Sequence, residues 1–95
     1  MFIILINYTK PIEEVNKVVT EHRAYLDELY KEKKLFVSGR RNPPTGGVLI
    51  SHLKNRSEID EIINNDPYKI KNVADYEVVE FTAGKSDERF KPFME

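Results

Sequence analysis

Short apolar runs and segments of helical periodicity alternate along this chain. The apolar runs are rich in β-branched and aromatic residues and end at proline, glycine or charged positions, a pattern typical of strands. They cover residues 2–8, 35–37, 48–53 and 75–82. Helical spacing predicts a long helix over residues 11–33 and a shorter one opened by Ser57, with Asp60 as a capping-box acid. Pro67 should end or break the second helix, and residues 68–72 are expected to add one more turn.

The predicted order of these elements defines the fold class. Strand, helix, strand, strand, helix, strand is the order of a ferredoxin-like β-α-β-β-α-β fold, an α+β fold with an antiparallel four-stranded sheet. The second and third strands should pair antiparallel, because the proline- and glycine-containing loop between them, residues 40–47, is short. Two helices would cover one face of the sheet. The other face is also apolar, so we predict a homodimer in which two sheets pair into a dimeric α/β barrel.

Length and composition indicate one small domain. The chain has 95 residues, 40% of them hydrophobic, and its net charge of −1 comes from well-mixed acidic and basic residues. We therefore expect no nucleic-acid and no membrane partner. The chain has no cysteine, and its apolar N-terminus is short and has no basic lead-in, so we expect a cytoplasmic location. We assign residues 1–82 to the domain and residues 83–95 to a C-terminal tail, a candidate for packing on the dimer partner.

One histidine interrupts the apolar face of the long predicted helix. The apolar positions of this face are Val15, Val18, Val19, Leu26 and Leu29, and His22 stands among them where a leucine would be expected. A histidine on such a face is usually a satisfied core residue, but it can also act as an acid–base group near neutral pH. Asp66, directly before a proline, is ordinary helix punctuation or the carboxylate partner of this histidine. The two residues together suggest a histidine–carboxylate pair at a small pocket.

The chain resembles a known family in several stretches that follow one another in order. These stretches are His22-Arg23-Ala24-Tyr25-Leu26, Leu35-Phe36-Val37-Ser38-Gly39, Asp66-Pro67-Tyr68 and Tyr76-Glu77-Val78-Val79. The resemblance is to the YCII-like (YciI-related) family of the dimeric α/β barrel superfamily, over residues 1–82. It implies that His22 and Asp66 are the catalytic or binding pair. The chain departs from the family pattern at two positions. Arg40 stands where proline is frequent, and Asn72 stands where glycine is common. Asparagine tolerates the same left-handed backbone conformation as glycine.

Further residues are candidates for binding a substrate in this pocket. Ser38 can donate to a carboxylate or carbonyl group, and Gly39 lets a ligand approach the backbone. Arg40, with Arg41, can hold an anion by bidentate contacts, and Tyr8 and Tyr68 can line the pocket. Each of these residues also has a structural interpretation: a strand end, a solvated basic pair on a loop, or tyrosines at a subunit interface.

These observations predict a small enzyme that uses histidine–aspartate acid–base chemistry on a small organic acid. The expected activity is that of a lyase or an isomerase, through isomerisation or elimination, including dehydrohalogenation. Kinship with muconolactone-isomerase-like and dehydrochlorinase-type chemistry motivates this class by analogy. The alternatives are a non-catalytic module that binds a small ligand and a structural dimer module. We expect no metal site, because the chain has two histidines and no cysteine. We expect no cofactor: a haem-dependent oxygenase of the same broad fold would need a large apolar cavity, and a core this small argues against it. We expect His52 at the surface.

Overall fold

The computed structural model describes residues 1–94 and has the predicted order of elements. Its strands and helices are β1 (Phe2–Tyr8), α1 (Ile12–Asn16), α2 (Val19–Lys31), β2 (Val37–Arg40), β3 (Gly46–Ser51), α3 (Arg56–Asn64), α4 (Pro67–Ile70) and β4 (Ala74–Glu80). A 3₁₀ helix, Glu88–Phe93, lies in the tail. The four strands form one antiparallel sheet in the order β2-β3-β1-β4. The predicted α+β, ferredoxin-like class is therefore confirmed.

Alternation along β1 separates the two faces of the sheet. Phe2, Ile4 and Ile6 are at most 1% exposed and form the core together with apolar residues of the helices. Ile3 and Leu5 lie on the opposite face, which none of the four α-helices covers and where they are half-buried. Successive side chains of a strand point to opposite faces, so this burial pattern follows directly from the sequence.

The long predicted helix is divided into two. α1 ends at Asn16, and the amide groups of Lys17 and Val18 bond to the carbonyl groups three residues before them, at 3.3 and 2.9 Å. These tight bonds make a turn before α2 begins. Val18, Val19 and Thr20 are consecutive β-branched residues, and such residues lose side-chain freedom in a helix, which weakens helix formation at this point.

Several element boundaries differ from the predicted ones. α2 ends through Lys33, which has a φ of 59°, and residues 34–36 connect to β2, so this strand begins two residues later than predicted. β3 begins at Gly46, inside the predicted loop, because glycine allows the strand to approach β1 closely. A Cβ atom at Gly46 would lie 1.7 Å from the carbonyl oxygen of Ile6. β4 covers Ala74–Glu80 and ends before the predicted position.

The start of α3 and the end of α4 are determined by residues next to each helix. Asp60 forms an ion pair with Arg56 at 3.0 Å and does not cap α3, whose N-cap residue is Asn55, so the predicted capping box is wrong. Asn72 follows α4 with a φ of 57°, the left-handed conformation that asparagine tolerates. This turn returns the chain to β4.

The tail folds back against its own chain. The ring of Phe93 stacks on Phe36, with ring centroids 4.9 Å apart, and His52 lies beside both rings. His52 is half-buried, and its Nδ1 atom is buried without a hydrogen-bond partner, so the expectation of a surface residue is wrong. Phe90 stays 47% exposed. Packing of this tail on a partner subunit stays a prediction.

Within residues 1–94, every helix is too short or too polar to cross a lipid bilayer.

Candidate functional site

A cavity of about 230 Å³ lies between α2 and the helix-covered face of the sheet. α2 forms one wall, and β1, β2, β3 and Tyr68 of α4 form the others. Its lining residues are Ile6, Tyr8, Val19, His22, Arg23, Leu26, Ser38, Gly39, Arg40, Gly46, Gly47, Leu49 and Tyr68. A cavity that surrounds a histidine with apolar and a few polar groups is the form expected of a small-molecule site.

The structure brings His22 and Asp66 together at this cavity. The Nδ1 atom of His22 lies 2.8 Å from Oδ1 of Asp66, although 44 residues separate them in the sequence. His22 is 8% exposed and Asp66 is 1% exposed. The pair therefore forms within one subunit, between α2 and the segment that precedes α4.

Asp66 also caps the N-terminus of α4. Its backbone is extended, and its Oδ1 atom accepts a hydrogen bond from the amide of Tyr68 at 3.0 Å, which makes it the N-cap residue of α4. Pro67 at the first helical position suits this start, because it has no amide hydrogen to satisfy. The cap fixes the carboxylate in one orientation, and that orientation is the one that meets His22.

A third donor, which the sequence did not single out, holds the other oxygen of Asp66. The hydroxyl of Tyr76 donates to Oδ2 at 2.7 Å. The register of β4, in which Tyr76 pairs with Ile6, places this side chain on the helix-covered face. Burial, the neighbouring Asp66 carboxylate and this hydrogen bond all raise the pKa of the Tyr76 phenol far above its usual range. Tyr76 is therefore a persistent donor that keeps Asp66 in place.

Aromatic packing sets the plane of the His22 ring. The ring of Tyr68 stacks on the imidazole, with centroids 3.9 Å apart and planes inclined by 8°. Tyr8 meets Tyr68 edge to face at 5.8 Å, so both predicted tyrosines belong to one cluster that lines the cavity. Parallel stacking and the bond to Asp66 together leave the imidazole little freedom to rotate.

The imidazole edge away from Asp66 faces the cavity. Nε2 of His22 has no hydrogen-bond partner among residues 1–94, yet it is not a buried unpaired atom, since His52 Nδ1 is the one such side-chain atom in that range. When a carboxylate accepts from Nδ1–H, the neutral ring carries its lone pair on Nε2. The arrangement can therefore accept a proton from a molecule in the cavity.

The three candidates on β2 line the same cavity. Ser38 pairs with Leu49 in the sheet, which puts it on the helix-covered face, and its Oγ accepts a hydrogen bond from the hydroxyl of Tyr30 at 2.6 Å. Arg40 lies two residues further along the same face. Gly39 lines the cavity too, but a Cβ atom there would meet nothing within 4 Å, so the strand does not require glycine at this position.

Two arginines have different positions from those the sequence suggested. Arg41, the second member of the basic pair, donates through Nη1 to Oδ1 of Asn7 and does not line the cavity. Arg23, which the sequence did not single out as a site residue, does line it. Its spacing from Val19, four residues earlier, and from Leu26, three residues later, was the available signal, because residues three and four apart are neighbours on a helix surface and both of these line the cavity.

The structure shows no metal-binding cluster in the part of the chain that it describes. Among residues 1–94, no three histidine, aspartate or glutamate side chains come close enough together to hold an ion. The groups at and directly behind the cavity wall are an imidazole, a buried carboxylate, a serine hydroxyl, tyrosines and two guanidinium groups.

The buried tyrosines around Asp66 predict how stability depends on alkaline pH. Burial raises the pKa of the phenols of Tyr25, to about 12, and of Tyr68 and Tyr76. An unfolded tyrosine ionises near pH 10, so above that pH the unfolded chain loses protons that the folded chain keeps. The free energy of unfolding should therefore be steady up to about pH 10 and fall as the pH rises further.

Tyr76→Phe tests this pH dependence with urea denaturation at pH 8, 10 and 11. The variant should be less stable at pH 8, by about 1.5–3 kcal/mol, because Asp66 loses a hydrogen bond to its charged oxygen. It should then lose less stability than the wild type between pH 10 and 11. The matched control is Tyr30→Phe, whose hydroxyl lies at the surface. Equal losses in Tyr76→Phe and the wild type would show that Tyr76 does not contribute to the alkaline transition.

Comparison with known proteins places the chain in a family. The model of the YCII-related domain matches residues 1–82, so the chain belongs to the YCII-related family and the resemblance seen in the sequence is confirmed. A comparison with curated protein sequences gave no match.

Among solved structures, the chain is similar to 5-chloro-2-hydroxyhydroquinone dehydrochlorinase (TftG) from Burkholderia phenoliruptrix AC1100, solved in complex with 2,5-dihydroxybenzoquinone. The TM-score is 0.72 and the sequence identity is 21%, and the match covers 88% of this chain and 96% of that protein. This likeness shows a shared fold.

Proposed function

We propose that this chain is a small enzyme that moves a proton at a carbon atom of a small organic acid, giving isomerisation or elimination, including dehydrohalogenation. The observation that carries the proposal is the 2.8 Å contact between His22 and Asp66 at the wall of a cavity of about 230 Å³. His22 is the general base, Asp66 orients it, and Ser38, Gly39, Arg40, Tyr8 and Tyr68 surround the substrate.

The reaction begins with Nε2 of His22. It takes a proton from a carbon made acidic by a neighbouring carbonyl or carboxylate group, and the electron pair of the broken C–H bond forms a new C=C bond. In an elimination, a halide ion leaves from the adjacent carbon with its bonding electrons. In an isomerisation, the new C=C bond displaces the π electrons of an existing C=C bond in the substrate toward another carbon, and the imidazolium returns the proton to that carbon. Asp66, which accepts from Nδ1–H, stabilises the imidazolium between these steps.

The comparisons support this class of chemistry. TftG is a dehydrochlorinase with the same fold, and its structure holds a one-ring ligand, which fits the size of the cavity described above. Fold likeness at 21% identity does not transfer an activity. The proposal therefore depends on the geometry of the His22–Asp66 pair.

Turnover by the purified protein tests the proposal. We expect either chloride release from 5-chloro-2-hydroxyhydroquinone or incorporation of deuterium from D₂O into small carboxylic acids with an acidic C–H bond, followed by ¹H NMR. His22→Gln is the control and should abolish the signal. A compound that shifts the His22 resonances and is recovered without chemical change or deuterium would contradict catalysis and favour the ligand-binding alternative.

We also propose that the chain forms a homodimer through the uncovered face of its sheet. Val37 and Val79 on this face are each 45% exposed and Phe81 is 40% exposed, beside the half-buried Ile3 and Ile50. A contiguous apolar surface of this kind marks an interaction site. Light scattering should give twice the mass of one chain, and a monomer at micromolar concentration would contradict this assembly.

A further inference from the structure

The arginines of this chain divide into two groups by their partners. Three of the five form a side-chain hydrogen bond or ion pair: Arg41 with Asn7, Arg56 with Asp60 and Arg89 with Asp87. The other two, Arg23 and Arg40, have no such partner within residues 1–94. Both of these arginines line the cavity beside His22.

Arg23 lines the cavity and is not paired with the carboxylate that lies closest to it along its own helix. Asp27 is four residues further along α2, a spacing at which opposite charges commonly pair on a helix surface. The structure forms no ion pair there. Arg23 instead lines the cavity together with Tyr68. Its charge partly opposes the rise that burial causes in the pKa of the Tyr68 phenol.

Arg40 reaches the cavity from the opposite wall. It is the last residue of β2 and pairs with Gly47 of β3. Gly47 has no side chain to occupy the space beside it, and an added Cβ atom would already lie 3.2 Å from the carbonyl oxygen of Gly39. The long side chain of Arg40 therefore adjoins a part of the sheet surface that is kept open.

No acidic side chain balances these two charges inside the cavity. Its lining contains no aspartate and no glutamate. Asp66 is 1% exposed, and its oxygens accept from His22, the Tyr68 amide and Tyr76, so its charge is bound behind the cavity wall. Guanidinium groups stay charged at any physiological pH. A chain with a net charge of −1 thus lines this cavity with two guanidinium groups, both exposed to solvent, and with no acidic side chain.

We propose that this cavity takes a small organic dianion, with one acidic group held by Arg23 and the other by Arg40. Each guanidinium can bind a carboxylate or a comparable oxyanion through two parallel hydrogen bonds. An apolar cavity of about 150 Å³ is enough for benzene, so about 230 Å³ admits one ring, or a chain of similar size, with its acidic substituents. This inference rests on the proposed function for the location of the site and names the charge class of its substrate.

Calorimetric titration with one-ring probes at low ionic strength tests the inference. The probes are phthalate, isophthalate and terephthalate as dianions, benzoate as the monoanion and benzamide as the neutral compound. We expect at least one dicarboxylate to bind about tenfold more tightly than benzoate, because only a dianion engages both arginines. Benzoate binding as tightly as the best dicarboxylate, or no dicarboxylate binding better than benzamide, would overturn the proposal.

Single substitutions assign the two contacts. Arg23→Gln and Arg40→Gln should each weaken binding of the best dicarboxylate by about tenfold or more, and lysine at either position should restore part of the loss. The matched control is Arg56→Gln, an exposed arginine on α3 whose partner is Asp60. Its dicarboxylate affinity should equal that of the wild type. Losses in the two cavity variants no larger than that of the control would contradict the assignment.

The same variants separate this inference from the proposed function. If the dicarboxylates bind through both arginines but no compound is turned over, the dianion site stands and the catalytic proposal fails. If a neutral compound is turned over through His22 with a KM that neither arginine substitution changes, catalysis stands and the dianion site fails.

Discussion

Replacing Asp66 with leucine is expected to lower the free energy of unfolding by about 3–5 kcal/mol, because it leaves three buried or half-buried hydrogen-bond donors without an acceptor. Leucine removes the acceptor of three donors at once: His22 Nδ1, the Tyr68 amide and the Tyr76 hydroxyl. Each buried donor left without a partner costs about 1–3 kcal/mol. Urea denaturation at pH 7, followed by circular dichroism, measures the loss.

Asp87→Leu is the matched control for this experiment. Asp87 also accepts from the amide two residues ahead, at 2.9 Å, and caps the 3₁₀ helix of the tail, but it lies at the surface. Its loss should lower the free energy of unfolding far less than the loss of Asp66 does, because solvent can replace its hydrogen bonds. Equal effects at Asp66 and Asp87 would mean that Asp66 acts as a helix cap alone and that the contact with His22 contributes nothing.

His22→Leu distinguishes a paired histidine from the alternative in which the chain is only a structural dimer module. If His22 were a buried polar residue without a function in an otherwise apolar face, His22→Leu would stabilise the protein by replacing a polar group with apolar packing. The structure predicts the opposite result. Leucine would leave the buried carboxylate of Asp66 without its donor on α2, so His22→Leu should be less stable than the wild type.

His22→Gln is expected to lower kcat by about 10²–10⁴-fold for any compound that the protein turns over, which is the usual contribution of a general base. Glutamine is close to histidine in size and can donate to Asp66, so the variant should fold. It cannot accept a proton at the position of Nε2. KM should change little, because the imidazole acts on the reacting carbon and does not anchor the acid groups.

The second histidine is the matched control for this loss. His52 lies outside the cavity, beside Phe36 and Phe93. His52→Gln should leave kcat within about twofold of the wild type, and added imidazole should partly restore turnover in His22→Ala. Turnover that survives in His22→Gln would remove His22 from the mechanism.

Much of this site could be predicted from the sequence, because two local sequence patterns each identify one member of the His22–Asp66 pair. Helical periodicity placed His22 on a buried face, and the Asp-Pro pair marked the start of a helical turn. Asp66 turned out to combine the two interpretations that the sequence left open, since one carboxylate both caps α4 and meets His22. Tyr76 was recognised only as a strand residue, because its contact with Asp66 depends on the register between β4 and β1.

Other features depended on tertiary contacts that have no local signature. Gly46 begins a strand inside an apparent loop because β1 approaches it closely, and this approach is visible only once the sheet is assembled. The break after α1 follows from a run of β-branched residues, which have a weak preference for helix. The apolar periodicity continues across this run, and for that reason the sequence predicted one continuous helix. His52 is half-buried because the tail packs Phe93 near it, and composition alone did not predict where the tail would lie.

The tautomer of the His22 imidazole tests the central claim most directly. Long-range ¹H–¹⁵N NMR of the neutral ring distinguishes a proton on Nδ1 from one on Nε2, and with two histidines in the chain His52→Gln assigns the signals. We expect the proton on Nδ1 in the wild type, with Nε2 free to act as the base, and loss of this preference in Asp66→Asn. A wild-type imidazole that carries its proton on Nε2 would contradict the claim that Asp66 prepares His22 to accept a proton from a molecule in the cavity.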